Sequence, residues 1–202
     1  MALDRETVLD TALRIIDEVG LDGLSLRRLA KELGVQAPAL YWHFSSKKDL
    51  LDHLVALVNE RAESGTDGPA PGQSWDEWLA EGMRMRRRSM LAQRDGARLT
   101  AGNRPTADSR PRIERTLGVL VAAGFTPQDA IRAVLVLGHY VSGFVMDEQF
   151  DADREDDEPQ DLGDFPIMLA GGRAALDRDT LFEYGLQRML DGMRAQLSVR
   201  PR

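Results

Sequence analysis

The sequence predicts an all-α fold, a three-helix helix-turn-helix head followed by a larger helical core, and three observations predict it. Apolar residues recur three and four apart through most of the chain, the spacing that lines one face of a helix. Capping residues open these segments, as at Asp4, Ser25, Ser74 and Thr126, and glycines close them, as at Gly20 and Gly124. No segment carries the apolar–polar alternation of a strand, and there is no internal repeat.

The first helix spans Arg5 to Val19, with Val8, Leu9, Ala12, Leu13, Ile15, Ile16 and Val19 at helical spacing. Ser25 caps a second helix through Leu33, whose inner face is Leu26, Leu29, Ala30 and Leu33. Gly34 supplies the turn, because a left-handed residue joins two helices at a steep angle at little cost. The third helix is short, from Gln36 to His43, and tolerates Pro38 because it falls in the first turn. Leu40 and Phe44 face inward with Val35. Tyr41, Trp42 and His43 are then left outward, since three adjacent residues cannot all face one core. Ser45 to Asp49 offers a cap with an acid three positions on, opening a fourth helix through Glu63 with a stripe of Leu50, Leu51, Leu54, Leu57 and Val58.

The Gly- and Pro-rich stretch that follows is the natural boundary. It divides the chain into a head (1–46), a connecting helix (47–63), a linker (64–74) and a core (75–202). Ser74 and Glu77 form a capping box for a helix through Gln93 that bears Trp75, Trp78, Leu79, Met83 and Met90. Its arginines, with those up to Arg98, read as a solvated face balanced by Asp76, Glu77, Glu81 and Asp95. A short helix covers Asp95 to Ala101 before Asn103-Arg104-Pro105 breaks it. Thr106 to Ala123 follows, with Ile113, Leu117, Leu120 and Val121 inward. The helix opened by Thr126-Pro127 and running to Phe150 is apolar nearly all round, which calls for cover on several sides and hence for a subunit interface. Asp151 to Asp164 reads as a mobile acidic tether, Phe165 to Leu176 as a weaker helix, and Thr180 to Leu197 as a stronger one.

Composition narrows the function. The 202 residues are 43% hydrophobic, enough to bury a real core, and include no cysteine, which excludes disulfides, thiolate metal sites and cysteine nucleophiles. No basic-then-apolar leader opens the chain and no apolar run approaches a membrane span, so a cytoplasmic protein without a membrane partner is expected. The net charge of -7 looks wrong for a nucleic-acid binder until its distribution is considered. Ten acids against Arg154 alone lie between Asp147 and Asp164, so the remaining chain carries +2. Within residues 25–50, Arg27, Arg28, Lys31, Lys47 and Lys48 oppose only Glu32 and Asp49. His43, His53 and His139 are scattered, and neither a nucleophile elbow nor a phosphate loop appears, so no catalytic residue, metal site or cofactor is assigned and an enzyme is not expected.

A recognition helix places short polar and aromatic side chains against base edges while flanking donors hold the backbone. In this chain the outward residues are Gln36, Ala37, Ala39, Tyr41, Trp42 and His43, with Ser25, Arg27 and Lys47 placed for phosphates. Leu21-Asp22-Gly23-Leu24-Ser25, Leu40-Tyr41-Trp42-His43-Phe44 and Lys47-Lys48-Asp49-Leu50-Leu51 resemble the DNA-binding head of the tetracycline repressor family. Ser74-Trp75, Arg94-Asp95-Gly96-Ala97, Asn103-Arg104-Pro105-Thr106, Gly124-Phe125, Gly138-His139 and Phe182 to Leu186 are similar to the core of its drug-responsive members, so the likeness runs from Leu3 to Leu197.

The resemblance implies a homodimer whose heads grip successive major grooves of a palindromic double-stranded DNA operator and are spread by a small-molecule inducer. Arg27, Pro38, Tyr41, Trp42, His43 and Lys47 match family contact positions. Ala37 stands where the tetracycline-responsive members have a base-reading glutamine, which implies a related but different operator. It also implies dimerisation through the helices that begin at Thr126 and Thr180, with Val136, Tyr140, Phe144, Phe182, Leu186, Met189 and Met193 as interface residues. The pocket positions hold Glu63 or Ser64, Gly82, Arg86, Thr116 and, where a histidine ligates magnesium in those members, Thr100. Asn103, Arg104, Pro105 and His139 remain, with Ile113, Leu117, Ile131, Val134 and Leu135 as apolar lining. Threonine is a poor replacement for imidazole and Arg86 brings a fixed charge, so an inducer other than magnesium-tetracycline is expected, flat or polycyclic with an acidic or phenolic group. Arg86 could instead pair with Glu81 or Asp147. A regulator that takes no small molecule and answers to a protein partner or to abundance is the alternative.

Overall fold

The structure is a computed structural model that describes residues 4–63, 68–151, 163–171 and 177–198. Among these residues the elements are helical: α1 (Arg5–Val19), a 3₁₀ turn (Leu21–Gly23), α2 (Leu26–Glu32), α3 (Ala37–Leu40), α4 (Lys47–Glu63), α5 (Trp75–Leu91), α6 (Gly96–Thr100), α7 (Arg110–Ala122), α8 (Pro127–Asp151), α9 (Pro166–Gly171) and α10 (Arg178–Ser198). The caps do what the sequence asks of them. Asp4 accepts from Thr7 N at 2.8 Å, Ser25 from Arg28 N at 3.1 Å and Thr126 from Asp129 N at 3.2 Å. Both arms of the Ser74–Glu77 capping box form. Gly34 and Gly124 take φ of 67° and 108°, closing α2 and α7 in the conformation that favours glycine.

Two buried clusters result. The first closes the head: Val8, Ile15 and Ile16 of α1, Leu29 of α2, Leu40 and Phe44 around α3, and Leu50, Leu54 and Val58 of α4. Leu99, from α6, is buried in this same cluster although it lies beyond the linker in sequence. The second cluster joins Leu79 and Met90 of α5, Leu120 of α7, five residues along one side of α8, and Phe182, Leu186 and Leu190 of α10.

Several expectations are corrected. The helical part of α3 ends at Leu40 and gives way to a turn, so the aromatic triplet 41–43 sits on the turn rather than on the helix. Asn103-Arg104-Pro105 does not pass directly into helix: α7 starts only at Arg110. Val121 is exposed rather than inward, because the second core meets the face carrying Leu117 and Leu120. The arginines of α5 and the segment after it are not a solvated face but ties between helices. Arg84 pairs with Glu183 at 2.6 Å, Arg87 with Glu148 and Asp179, and Arg98 with Asp22 and Asp95. An apolar helix of near-membrane length also exists: α8 is 25 residues long with an 18-residue stretch of mean hydropathy 1.3. One side of it lies along the second core through Ala130, Ala133, Leu137, Val141 and Val145, while Ile131, Leu135 and Val136 are exposed. Residues 152–162 of the expected tether and 172–176 of the expected ninth helix lie outside the described residues.

Candidate nucleic-acid interface and the core behind it

Around α3 the head separates inner from outer residues as a reading surface requires. Leu40 and Phe44 are buried, while Trp42 is 90% and Tyr41 56% exposed. An apolar ring left in water at that level has no folding role, so its exposure marks a contact surface. Gln36 and Pro38 are exposed, and Ala37 and Ala39 half-buried, Ala37 packing partly on the head's core. Gln36 does not use its carboxamide to cap α3, which leaves both its donor and its acceptor available. His43 is half-buried, its ring 6.4 Å from that of Phe44. Arg27 and Lys47 are exposed. Ser25, expected at a phosphate, accepts the Arg28 N–H as the cap of α2 and keeps its hydroxyl proton for donation.

Behind this surface the core holds the head at two joints. At the first, residues 93–98 grip the end of α1 and the 3₁₀ turn. Asp95, in a left-handed conformation with φ 57°, accepts the Leu21 N–H at 2.7 Å. Arg98 donates to both carboxylate oxygens of Asp22, at 3.0 and 2.9 Å, and to Asp95 at 3.0 Å. Arg94 donates to the carbonyls of Glu18 and Asp17 at 3.0 and 3.3 Å, where the end of a helix leaves carbonyls without intrahelical partners. Burial works against the Asp95 carboxylate, but the Leu21 N–H and Arg98 hold it below its ordinary value. Leu99 then inserts into the head's core, and Gln149 of α8 ties the same short helix from the other side. Its oxygen accepts the Ala97 N–H at 3.1 Å, and its nitrogen donates to Gln93 O at 2.9 Å. Close packing makes the start of α6 a glycine position: a Cβ on Gly96 would stand 2.1 Å from the Met90 carbonyl oxygen.

At the second joint, α4 meets the segment between α6 and α7. Asp52 accepts the Arg104 N–H at 2.9 Å, and Arg5, His53 and Asp108 meet in a cleft of about 330 Å³. Higher on α4, Arg86 donates to Asn59 at 2.9 Å and Ser89 to the Val58 carbonyl at 3.1 Å. Asn59 is buried, so Arg86 reaches the connecting helix, neither Glu81 nor Asp147 being its partner in that bond.

The residues expected to line a pocket scatter more than the sequence suggests. Gly82, Arg86, Thr100, Asn103, Ile113, Thr116, Leu117 and Val134 are half-buried. Thr100 donates its hydroxyl to Ala97 O at 2.9 Å, and Asn103 caps α6 through the Leu99 carbonyl. Arg104, Pro105 and His139 are exposed, as are Ile131 and Leu135, at 47% and 54%. With Val136, 51% exposed, these last form an uncovered apolar face on α8. Of the residues expected at the dimer interface, Phe182 and Leu186 are instead closed inside the chain's own core. The reason is local: Arg87 lies 4.7 Å over the Phe182 ring, and Tyr140 stacks on it and donates to its carbonyl at 2.9 Å. Phe144 meets the same ring edge-on, and Met189 and Met193 are half-buried against this core. Tyr184, on the opposite side of α10, is 65% exposed and carries no signal in the sequence that sets it apart. The same holds for Leu99 and Gln149, whose partners are tens of residues away.

Comparison with known proteins agrees with this geometry. Residues 8–54 match the domain family described as bacterial regulatory proteins, tetR family, and residues 68–197 match the tetracyclin repressor-like C-terminal domain. The chain is 38% identical over 201 residues to the tetracycline repressor protein class A from transposon 1721 of Escherichia coli, covering 95% of this chain and 90% of that one. Among solved structures it is similar to the TetR family protein ActR of Streptomyces coelicolor in complex with (S)-DNPA, with a TM-score of 0.81, 32% identity, and coverage of 97% and 99%. It is similar also to TetR from Acinetobacter baumannii AYE, with a TM-score of 0.72, 34% identity, and coverage of 96% and 98%. A head that exposes Trp42 and Tyr41, carried on a helical core that holds it at two joints, is thus a member of the tetracycline repressor family, a transcriptional repressor with a ligand-binding C-terminal domain.

Proposed function

We propose that the chain acts as a homodimer on a palindromic operator and is released from it by a flat or polycyclic apolar inducer with an acidic or phenolic group, other than magnesium-tetracycline. The observation that carries the reading is the position of α6. Leu99 is seated in the head's core while Ala97 is tied to α8 by Gln149, so a ligand that displaces this short helix necessarily shifts the head. Thr100, its hydroxyl turned to Ala97 O, offers no imidazole for a metal, which supports an inducer bound without magnesium. Arg86, half-buried and joined to α4 through Asn59, is the polar handle suited to an acidic group. On the operator side, Gln36, Ala37, Pro38, Ala39, Tyr41, Trp42 and His43 face the bases, with Arg27 and Lys47 on phosphates.

The test is binding of the full chain to palindromes selected from random DNA, repeated with a panel of aromatic acids and phenols and with magnesium-tetracycline. A palindrome released by a panel member and not by magnesium-tetracycline is the expected outcome. Release by magnesium-tetracycline alone would sink the ligand assignment. Equal head separation in free and liganded crystal structures would sink the mechanism.

A further inference from the structure

The second joint carries a feature that operator binding alone does not explain. Of the three histidines in the chain, His53 is the one between head and core. Its side chain is 14% exposed, and it touches three elements at once. The Arg5 guanidinium, from the start of α1, donates to Nε2, which is therefore unprotonated. The same Arg5 donates to Asp108 at 3.1 Å, on the segment leading to α7. Asp108 lies 3.9 Å from His53 Nδ1, and Asp49 lies 3.5 Å from Nε2 on the histidine's own helix. Phe44 closes one side, its ring 5.7 Å from the imidazole, with Arg5 stacked 5.4 Å above it. The charged and titratable groups that line this cleft with His53 are Arg5 from α1, Asp49 and Asp52 from α4, and Arg104 and Asp108 from the segment before α7.

We propose that Arg5, His53 and Asp108 form a proton-sensitive clamp: protonation of His53 opens it, loosens the hold of the core on the head and makes operator affinity depend on pH. The geometry sets the sign. A neutral His53 is the acceptor for Arg5, whereas a protonated ring has no acceptor nitrogen and sets two cations in contact. Asp49, Asp52 and Asp108 offset this in part, but burial and Arg5 outweigh them and keep His53 titrating below its ordinary value of 6.5. A histidine with a lowered folded value contributes stability that is complete above the ordinary value and is lost as the pH falls through the folded one. Opening the clamp removes one of the ties between α1, α4 and the segment before α7, the Asp52–Arg104 bond remaining, so head spacing is less fixed and binding weakens as pre-organisation is lost.

The inference rests on the operator-binding reading, and two measurements separate the failure of one from the failure of the other. NMR of the full chain follows the His53 ring from pH 5 to 8. It is expected to titrate below 6.5 in the native chain and to move upward in Arg5→Gln. A native value at or above 6.5, or one unmoved by Arg5→Gln, overturns the clamp. The second measurement is operator affinity at pH 7.5 and 5.5 for the native chain and for His53→Gln, whose carboxamide keeps an acceptor for Arg5. The native chain is expected to lose more affinity between pH 7.5 and 5.5 than the variant, because the closed clamp disfavours the proton at His53 and the operator favours the closed clamp. His43 is present in both and cancels. Equal slopes overturn the proposal, and a chain that binds no operator at any pH counts against the repressor reading while the NMR titration still decides the clamp.

Discussion

In the proposed operator reading, Gln36 is the residue on which specificity is expected to turn. Ala37 cannot make the bidentate adenine contact that a glutamine makes, and Ala39 offers only a methyl group, so the carboxamide in this stretch belongs to Gln36 alone. It is exposed and not spent on capping. Gln36→Glu is expected to exchange the preferred base at one position of each half-site from adenine to cytosine, and Gln36→Ala to relax it by about 1–3 kcal/mol. Selection of bound sequences from a randomised half-site measures both, and an unchanged base preference in the two variants would remove Gln36 from the readout. The residue alphabet made the chemistry of these positions legible from the sequence. It did not reveal that Ala37 leans on the core, because that depends on backbone geometry.

At the level of elements the short α6 matters more than its length suggests. It is too short to hold itself together, and its place comes from Leu99 in one core, Gln149 from α8, and the salt-bridged grip on Asp22. Gly96 allows it to start against the Met90 carbonyl. Gly96→Ala must push α6 away from α5, with an expected cost of about 1–3 kcal/mol from overpacking. The larger effect is expected on coupling: thermal unfolding reports the stability loss, while operator binding with and without inducer reports a variant that still folds but responds weakly. A variant with native stability and a native ligand response would show that this joint does not transmit. The start of α6 was legible from Asp95-Gly96. Its role was not, since a five-residue segment carries no periodicity strong enough to name its neighbours.

For the whole molecule, the face of α8 bearing Ile131, Leu135 and Val136 remains in water within one chain. An apolar face on a helix whose other side fills the core is what the proposed homodimer would cover with a second copy. Leu135→Asp combined with Val136→Asp is expected to give a folded monomer in sedimentation equilibrium. Its operator affinity should fall by roughly 10²–10⁴-fold, as the gain from joining two heads disappears. A dimer of native affinity would place the interface elsewhere. The substitutions lie on exposed positions, so the chain's own core is untouched.

By itself the sequence determined most of the helical elements and their caps, the outward placement of the aromatic triplet at 41–43 and the need of α8 for cover. Each of these is written in residues within one or two helical turns of one another. Tertiary structure alone decided which side of each helix met which neighbour. It took Phe182 and Leu186 from the interface into the core, turned Arg86 toward Asn59, and seated Leu99 in the head. It also gathered Arg5, His53 and Asp108 from positions as much as 103 residues apart. The physical reason is that a helix shows its apolar face in its own sequence, whereas the partner of a buried polar group is chosen by packing between distant segments.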